Sequence, residues 1–115
     1  MAIPSGSGSE ILTRASAILD NTSTKIIDGD AANDIYTVLS LSMHNRHATS
    51  HASCYVYVNP SAGTSVFLDS DISIAPKATY VWNDKIVLQG TDELVVGCDL
   101  ASVHFYVNYI WQDWT

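Results

Sequence analysis

Three histidines, His44, His47 and His51, stand close together, separated first by two residues and then by three. Imidazole is the commonest protein ligand for transition metals, so these are the residues in the chain whose type and spacing first suggest chemistry. Their context weakens that reading, because no Cys or acidic residue sits among them and a loop does not force three rings to converge. Solvated loop histidines are the simpler expectation, with metal chemistry confined to these three as candidates. A second group, "DGDAAND", places Asp28, Asp30 and Asp34 in one stretch that could offer oxygen ligands to calcium. Counted from Asp28 as an EF-hand loop, the sixth position is Asn33 instead of Gly and the twelfth is Leu39 instead of Glu, so an acidic turn between strands is expected.

Covalent catalysis has little to stand on. Ser, His and Asp all occur, but there is no nucleophile elbow, and His104 lies in a strand-like stretch with no partner recognisable by spacing. No glycine-rich phosphate loop or dinucleotide fingerprint is present. No catalytic residue and no cofactor is expected, and the chain is read as a non-enzyme. Asn21-Thr22-Ser23 matches a glycosylation acceptor, a reading set aside because the start, "MAIPSGSGSE", lacks the basic and hydrophobic regions of a secretion signal.

The residues that could bind a partner are aromatic. Tyr55, Tyr57 and Tyr106 fall on outward positions of their strands, and Trp111 and Trp114 crowd the end of the chain. Tyr and Trp are enriched at the buried centres of interfaces, which makes these five the interface candidates. They could equally cover the second face of a sandwich.

These side chains need elements to hold them, and the elements expected are strands. In "DIYTVLSLSMHN", Ile35, Leu39, Leu41 and Met43 can share one face while Ser40, Ser42 and His44 take the other. "ASCYVYVNP" alternates Ala52, Cys54, Val56 and Val58 inward with Tyr55 and Tyr57 outward, ending at Pro60. "TSVFLDS" and "ISIAPKATYVW" read as two shorter strands around Asp69 to Asp71, with a corner at "APKA". Asn83-Asp84 and "QGTD" read as turns on either side of Ile86 and Leu88, after which Leu94, Val96 and Cys98 face inward. "ASVHFYVNYIWQDW" sets Val103, Phe105, Val107, Tyr109 and Trp111 on one face. Helical periodicity is nearly absent.

The 115 residues suit one domain, and 47% apolar against 15% charged residues is enough to build a core. The expected fold is an all-β antiparallel sandwich of jelly-roll or immunoglobulin-like arrangement over residues 11–115, preceded by a Ser/Gly-rich flexible arm over 1–10. Cys54 and Cys98 are too few for a disulfide scaffold and are read as buried reduced thiols, with a bridge flanked by Trp82 as the alternative. A net charge of −7 argues against nucleic acid as a partner. No apolar run approaches the roughly 20 residues of a membrane helix, so no membrane is expected either.

Taken together, "MAIPSGSGSE", "IYTVLSLSMHN", "KATYVWNDKIVLQGTDELVV" and "VNYIWQDWT" resemble small β-sandwich structural proteins of tailed bacteriophages, especially contractile-tailed phages of marine and cyanobacterial hosts. The resemblance runs over nearly the whole chain and lies in the order of the pieces. It implies a non-enzymatic virion component assembled in the host bacterial cytoplasm and present in many copies as a homo-oligomer. Such a component contacts capsid, neck or tail proteins; capsid decoration is the leading station, with a neck or tail role or a carbohydrate- or receptor-binding tail module as alternatives. The His-rich "MHNRHATSHASC" departs from that family pattern.

Overall fold

In a computed structural model, residues 8–61 and 63–114 are described, and they form nine strands and no helix. In chain order these are β1 Ser9–Leu19, β2 Ser23–Asp28, β3 Asp34–Asn45, β4 Ala52–Asn59, β5 Val66–Ile74, β6 Thr79–Trp82, β7 Ile86–Gln89, β8 Glu93–Cys98 and β9 Val103–Asp113. They make two antiparallel sheets, one ordered β1-β9-β3-β6 with β7 also paired to β3, the other β2-β8-β4-β5.

The pairings are nested. The first strand lies against the last, β2 against β8, β3 against β6 and β7, and β4 against β5, as if one long antiparallel ribbon were rolled up on itself. That is the jelly-roll arrangement, and it decides between the two sandwich forms expected. The flexible-arm reading falls mainly on residues 1–7, outside the described residues, while Ser9 and Glu10 belong to β1, opposite Asp113 and Gln112.

The core lies between the sheets. Val38, Leu41, Met43, Val56, Leu88, Leu94, Val96, Val103, Phe105 and Val107 are essentially removed from water. Burying side chains of this size is worth about 1.5–3 kcal/mol apiece, which is the main term holding the sheets together. Tyr80 adds a polar tie across the gap, donating its hydroxyl to Asp69 Oδ2 at 2.6 Å from the opposite sheet. Burial and then that bond raise its pKa to about 12; burial first, and then Asp34, raise that of Tyr36 to about 12 as well.

Four details depart from the sequence expectations. β3 occupies the predicted span, but its pairing with β9 shifts register between Val38 and Ser40. Asp34, Tyr36 and Val38 therefore face the core before the bulge, and Leu41, Met43 and Asn45 after it. Ile35 and Leu39, expected inward, are on the outer side and half-exposed. Strict alternation cannot survive an inserted residue.

β5 is one strand through Asp69–Asp71, with register shifts against β4 and a positive φ of 55° at Asp71 in place of a break. Asn83-Asp84 does not reverse the chain. β6 and β7 both pair with β3, Trp82 opposite Leu41 and Ile86 opposite Val38, so they are two pieces of one edge strand interrupted beside the β3 bulge.

The cysteines are the fourth. Cys54 and Cys98 form a disulfide, not two free thiols. They stand opposite each other on β4 and β8, with Cα atoms 4.1 Å apart and side chains facing inward. The bridge therefore lies within one sheet, unlike the inter-sheet bridge of immunoglobulin domains. Their separation of 44 positions could not reveal that these two strands are neighbours. Closing a loop of that length restrains the unfolded chain by about 4 kcal/mol in the chain-entropy model.

One buried polar side chain organises the loops at one end. Asn45, fully buried, donates Nδ2 to the carbonyls of Ser50 at 2.8 Å and Ile74 at 3.0 Å, and its Oδ1 accepts from the His47 N–H at 2.9 Å. Its backbone holds the "APKA" corner, donating to Ala78 O and accepting from Lys77 N. Asn45→Ala would strand two carbonyls and one N–H, each costing about 1–3 kcal/mol when left unpaired. Urea denaturation of that variant is expected to show a loss of about 3 kcal/mol or more; a loss below about 1 kcal/mol would refute this role.

The raised tyrosines give a pH test. Because folding favours the neutral phenols, their contribution is complete below the unfolded value of 10 and is lost as pH rises toward about 12. Near-ultraviolet titration should show a late phenolate phase that disappears in the Tyr36→Phe, Tyr80→Phe double variant.

Candidate functional site

With the inner faces committed to the core, what remains for recognition is the outside of each sheet. On the outer face of the second sheet, Tyr55 and Tyr57 project from β4 and Phe67 from β5. Tyr57 is directly opposite Phe67 in the ladder, with ring centroids 4.9 Å apart, and Tyr55 stacks on Tyr57 at 5.9 Å with an interplanar angle of 18°. Phe67 also meets Tyr55 at 6.0 Å. The three rings form one cluster in which Phe67 remains 56% exposed beside exposed Val66.

A glycine makes this flatness possible. Tyr55 is opposite Gly97 on β8, and a Cβ on Gly97 would run into the tyrosine ring and hydroxyl. The ring can lie over the strand only because no side chain stands there. Val95, opposite Tyr57, is buried although it points to the outer side of β8. Ser53, Ser65, Ser70 and Asp71 border the cluster in a groove of about 420 Å³.

The outer face of the first sheet is different in character. Across its strands run rows of opposed residues: Ile18, His104, His44 and Thr79 form one, and Ser16, Tyr106, Ser42 and Val81 the next. Toward the other end stand Leu12, Ile110 and Thr37, with Val87 on β7. Leu12 at 70% and Ile18 at 69% are among the most exposed apolar side chains.

The sequence candidates are thus distributed over three places. Tyr55 and Tyr57 belong to the aromatic cluster, and Tyr106 lies on the opposite side of the slab, so Tyr57 and Tyr106 cannot line one sugar site. Trp111 sits on the core side of β9, stacked nearly parallel on Tyr36 at 6.4 Å and 10°. Trp114 follows β9, its backbone N–H bonded to Asn33 O, and the indole N–H groups of Trp111 and Trp114 are both buried with no hydrogen-bond partner among the described residues. Sequence reasoning missed Phe67; its signal was the outward phase of "VFL" opposite Tyr57, legible only once β5 is registered on β4.

The histidines and aspartates separate too. His44 is on the outer face, with Nδ1 2.8 Å from Thr79 Oγ1. His47 turns back into its own loop, Nδ1 accepting from the N–H groups of Thr49 at 3.3 Å and Ser50 at 3.1 Å. His51 is exposed at the entry to β4. Asp34 is buried and accepts from the Tyr36 hydroxyl at 3.3 Å, whereas Asp28 and Asp30 are exposed. Among the described residues no group of three or more His, Cys, Asp or Glu is placed to hold a metal ion. An ion pair, Lys25 Nζ to Glu93 Oε2 at 2.9 Å, holds the Glu93 pKa below its ordinary value, helped by Asn59.

No protein-family model and no curated protein matches the sequence. Among solved structures, the chain is similar to the core of Drosophila NLP, described for pentamer formation and histone binding: TM-score 0.57, 14% identity, 93% of this chain and 98% of that one covered. It is similar to a protein of the acid-stable capsid of Helicobacter pylori bacteriophage KHP30, with TM-score 0.52, 13% identity and 95% of each chain covered. A protein of the disulfide-linked pili of Bacillus endospore appendages gives TM-score 0.51 and 12% identity over 98% of this chain and 95% of that one. At these identities the likeness is one of fold. It is a fold found in proteins that build capsids and pili.

The aromatic cluster makes a local prediction. Gly97→Ala should destabilise the protein by about 1–3 kcal/mol through overpacking against Tyr55. In a Tyr55→Ala background the same change should cost far less, and a double-mutant cycle with no coupling would show that the ring does not rest on Gly97.

Proposed function

We propose that the protein is a non-enzymatic structural subunit of a bacteriophage virion, laid on the capsid as a decoration subunit that binds the major capsid protein. The observation that carries this reading is the Tyr55, Tyr57 and Phe67 cluster. It is a rigid, outward apolar surface on a slab whose inner faces are already satisfied, and soluble monomers seldom leave such surfaces uncovered. The fold likeness to a phage capsid protein supports it, as does the sequence resemblance to small phage structural proteins. Contact through these rings would bury apolar area at about 25 cal/mol per Å², offset by the loss of rotational and translational freedom on docking. Many copies on a symmetric shell would then hold by multivalency. Homo-oligomer formation belongs to the same reading, as does a place in the virion after assembly in the host cytoplasm.

A neck or tail station is the nearest variant of this proposal. A second reading, a carbohydrate-binding module, is favoured by one observation: hydroxyls of Ser53, Ser65 and Ser70 and the Asp71 carboxylate border the exposed rings.

Cryo-EM of particles carrying this protein tests the proposal. Copies in the hundreds over the shell are expected; roughly a dozen or fewer around the portal axis would move it to the neck, and none in the particle would overturn it. Phe67→Ala combined with Tyr57→Ala should leave the protein folded but absent from sedimented particles. Incorporation at the wild-type level would show that this face is not the contact.

A further inference from the structure

We propose that His44 and His104 form a two-imidazole site for a transition-metal dication on the outer face of the first sheet. The two residues are 60 positions apart in the chain, yet the pairing of β3 with β9 sets them directly opposite each other. Both alternate with buried neighbours, Met43 and Asn45 on one strand and Val103 and Phe105 on the other, so both rings project to the same outer side. Opposed residues on paired strands hold their Cβ atoms about 4.5–5.5 Å apart. From there two imidazoles can reach one ion at the usual metal–nitrogen distance of about 2.0–2.1 Å. Together with Ser16, Ile18, Ser42 and Tyr106 they line a shallow groove of about 400 Å³.

A second observation bears on the ligand. On its other side His44 is opposite Thr79 of β6, and its Nδ1 lies 2.8 Å from Thr79 Oγ1. With Nδ1–H donated to that hydroxyl, the lone pair is on Nε2, and the ring is held in orientation before any ion arrives. A hydrogen bond from the far nitrogen is what metal-bound imidazoles characteristically have. Thr79 is therefore a positioning residue.

The donor set selects the ion. The neighbours in this row and the next are Ile18, Thr79, Ser16, Tyr106, Ser42 and Val81, with no carboxylate among them, which disfavours calcium and magnesium. Both cysteines are in the disulfide, so no thiolate competes. Two neutral imidazoles suit Cu²⁺, Ni²⁺ or Zn²⁺, tightest for Cu²⁺, with the open positions left to water. This site does not depend on the assembly reading.

Calorimetric titration of the full oxidised chain with Cu²⁺ and with Zn²⁺, joined to histidine-resolved NMR with Zn²⁺, tests it. One ion per chain is expected, with the His44 and His104 ring signals shifting together while those of His47 and His51 stay in place. His104→Asn and His44→Asn should each abolish saturable binding, His51→Asn should leave it unchanged, and Thr79→Val should weaken it by about 10–100-fold. Circular dichroism and thermal midpoints of the variants identify any that fail to fold, and the ring-signal shifts of the unaltered chain stand without them. Absence of saturation, binding untouched by His104→Asn, or shifts centred on His47 and His51 would overturn the proposal.

Discussion

The outer face of the first sheet is decided by the register of two antiparallel ladders that share β9. β1 pairs with β9 without interruption from Ser9 opposite Asp113 to Leu19 opposite Val103, and β9 in turn pairs with β3. Because successive residues of a strand point to opposite faces, fixing those ladders fixes which side of the slab each residue occupies. A slip of one residue of β9 against a fixed β3 would carry Val103, Phe105 and Val107 out of the core and turn His104 and Tyr106 into it. The burial of Val103, Phe105 and Val107 against Leu41 and Met43 excludes that slip energetically. The outer rows of the first sheet are thus by-products of core packing, and they are held with the same precision.

The strands were legible wherever alternation is unbroken. Residues 52–59 could be placed with the right faces from their alternation, as could Val103, Phe105 and Val107, whereas residues 34–45 could be located as a strand but not phased across their bulge. What could not be read is information that pattern does not contain. A bulge between Val38 and Ser40 reverses the phase of half a strand without leaving a Gly or Pro to announce it. Asn83-Asp84 has turn chemistry, but whether a turn sends the chain back or only steps it past a bulge depends on what the neighbouring strand is doing. The disulfide joins residues 44 positions apart and the His44 to His104 juxtaposition joins residues 60 apart, while the contact of Phe67 with Tyr57 spans only ten positions but needs the register of β5 on β4. Each depends on which strands the sheets set side by side and in what register. The same reason explains why the interface candidates scattered: outwardness is a property of a strand, whereas sharing a face is a property of the sheets.

The two outer faces also differ in how their apolar residues are supported. On the second sheet the rings of Tyr55, Tyr57 and Phe67 brace one another and bury Val95, so the cluster is part surface and part secondary core. Rigid aromatic side chains of this kind lose little conformational freedom when a partner covers them, which favours their use as contact points. On the first sheet Leu12, Ile18, Val81 and Val87 stand apart among Ser, Thr and His, a sparser surface whose polar groups remain available to water.

Edges complete the account of what can associate. An exposed strand edge is a template for another chain, and folds protect against this with short strands, bulges and charges. The β6 and β7 edge is cut into two four-residue pieces. β2 carries a register shift beside Lys25, and β5 carries register shifts together with Asp69 and Asp71. β1 alone among the four described edges runs eleven residues without a bulge, with Arg14 its single basic side chain and Leu12 and Ile18 exposed along it. An unblunted β1 edge, perpendicular in role to the aromatic face, offers contacts along the layer where Tyr55, Tyr57 and Phe67 offer them across it. Contacts made at that edge and contacts made at the aromatic face would lie in different directions and would not compete for the same surface.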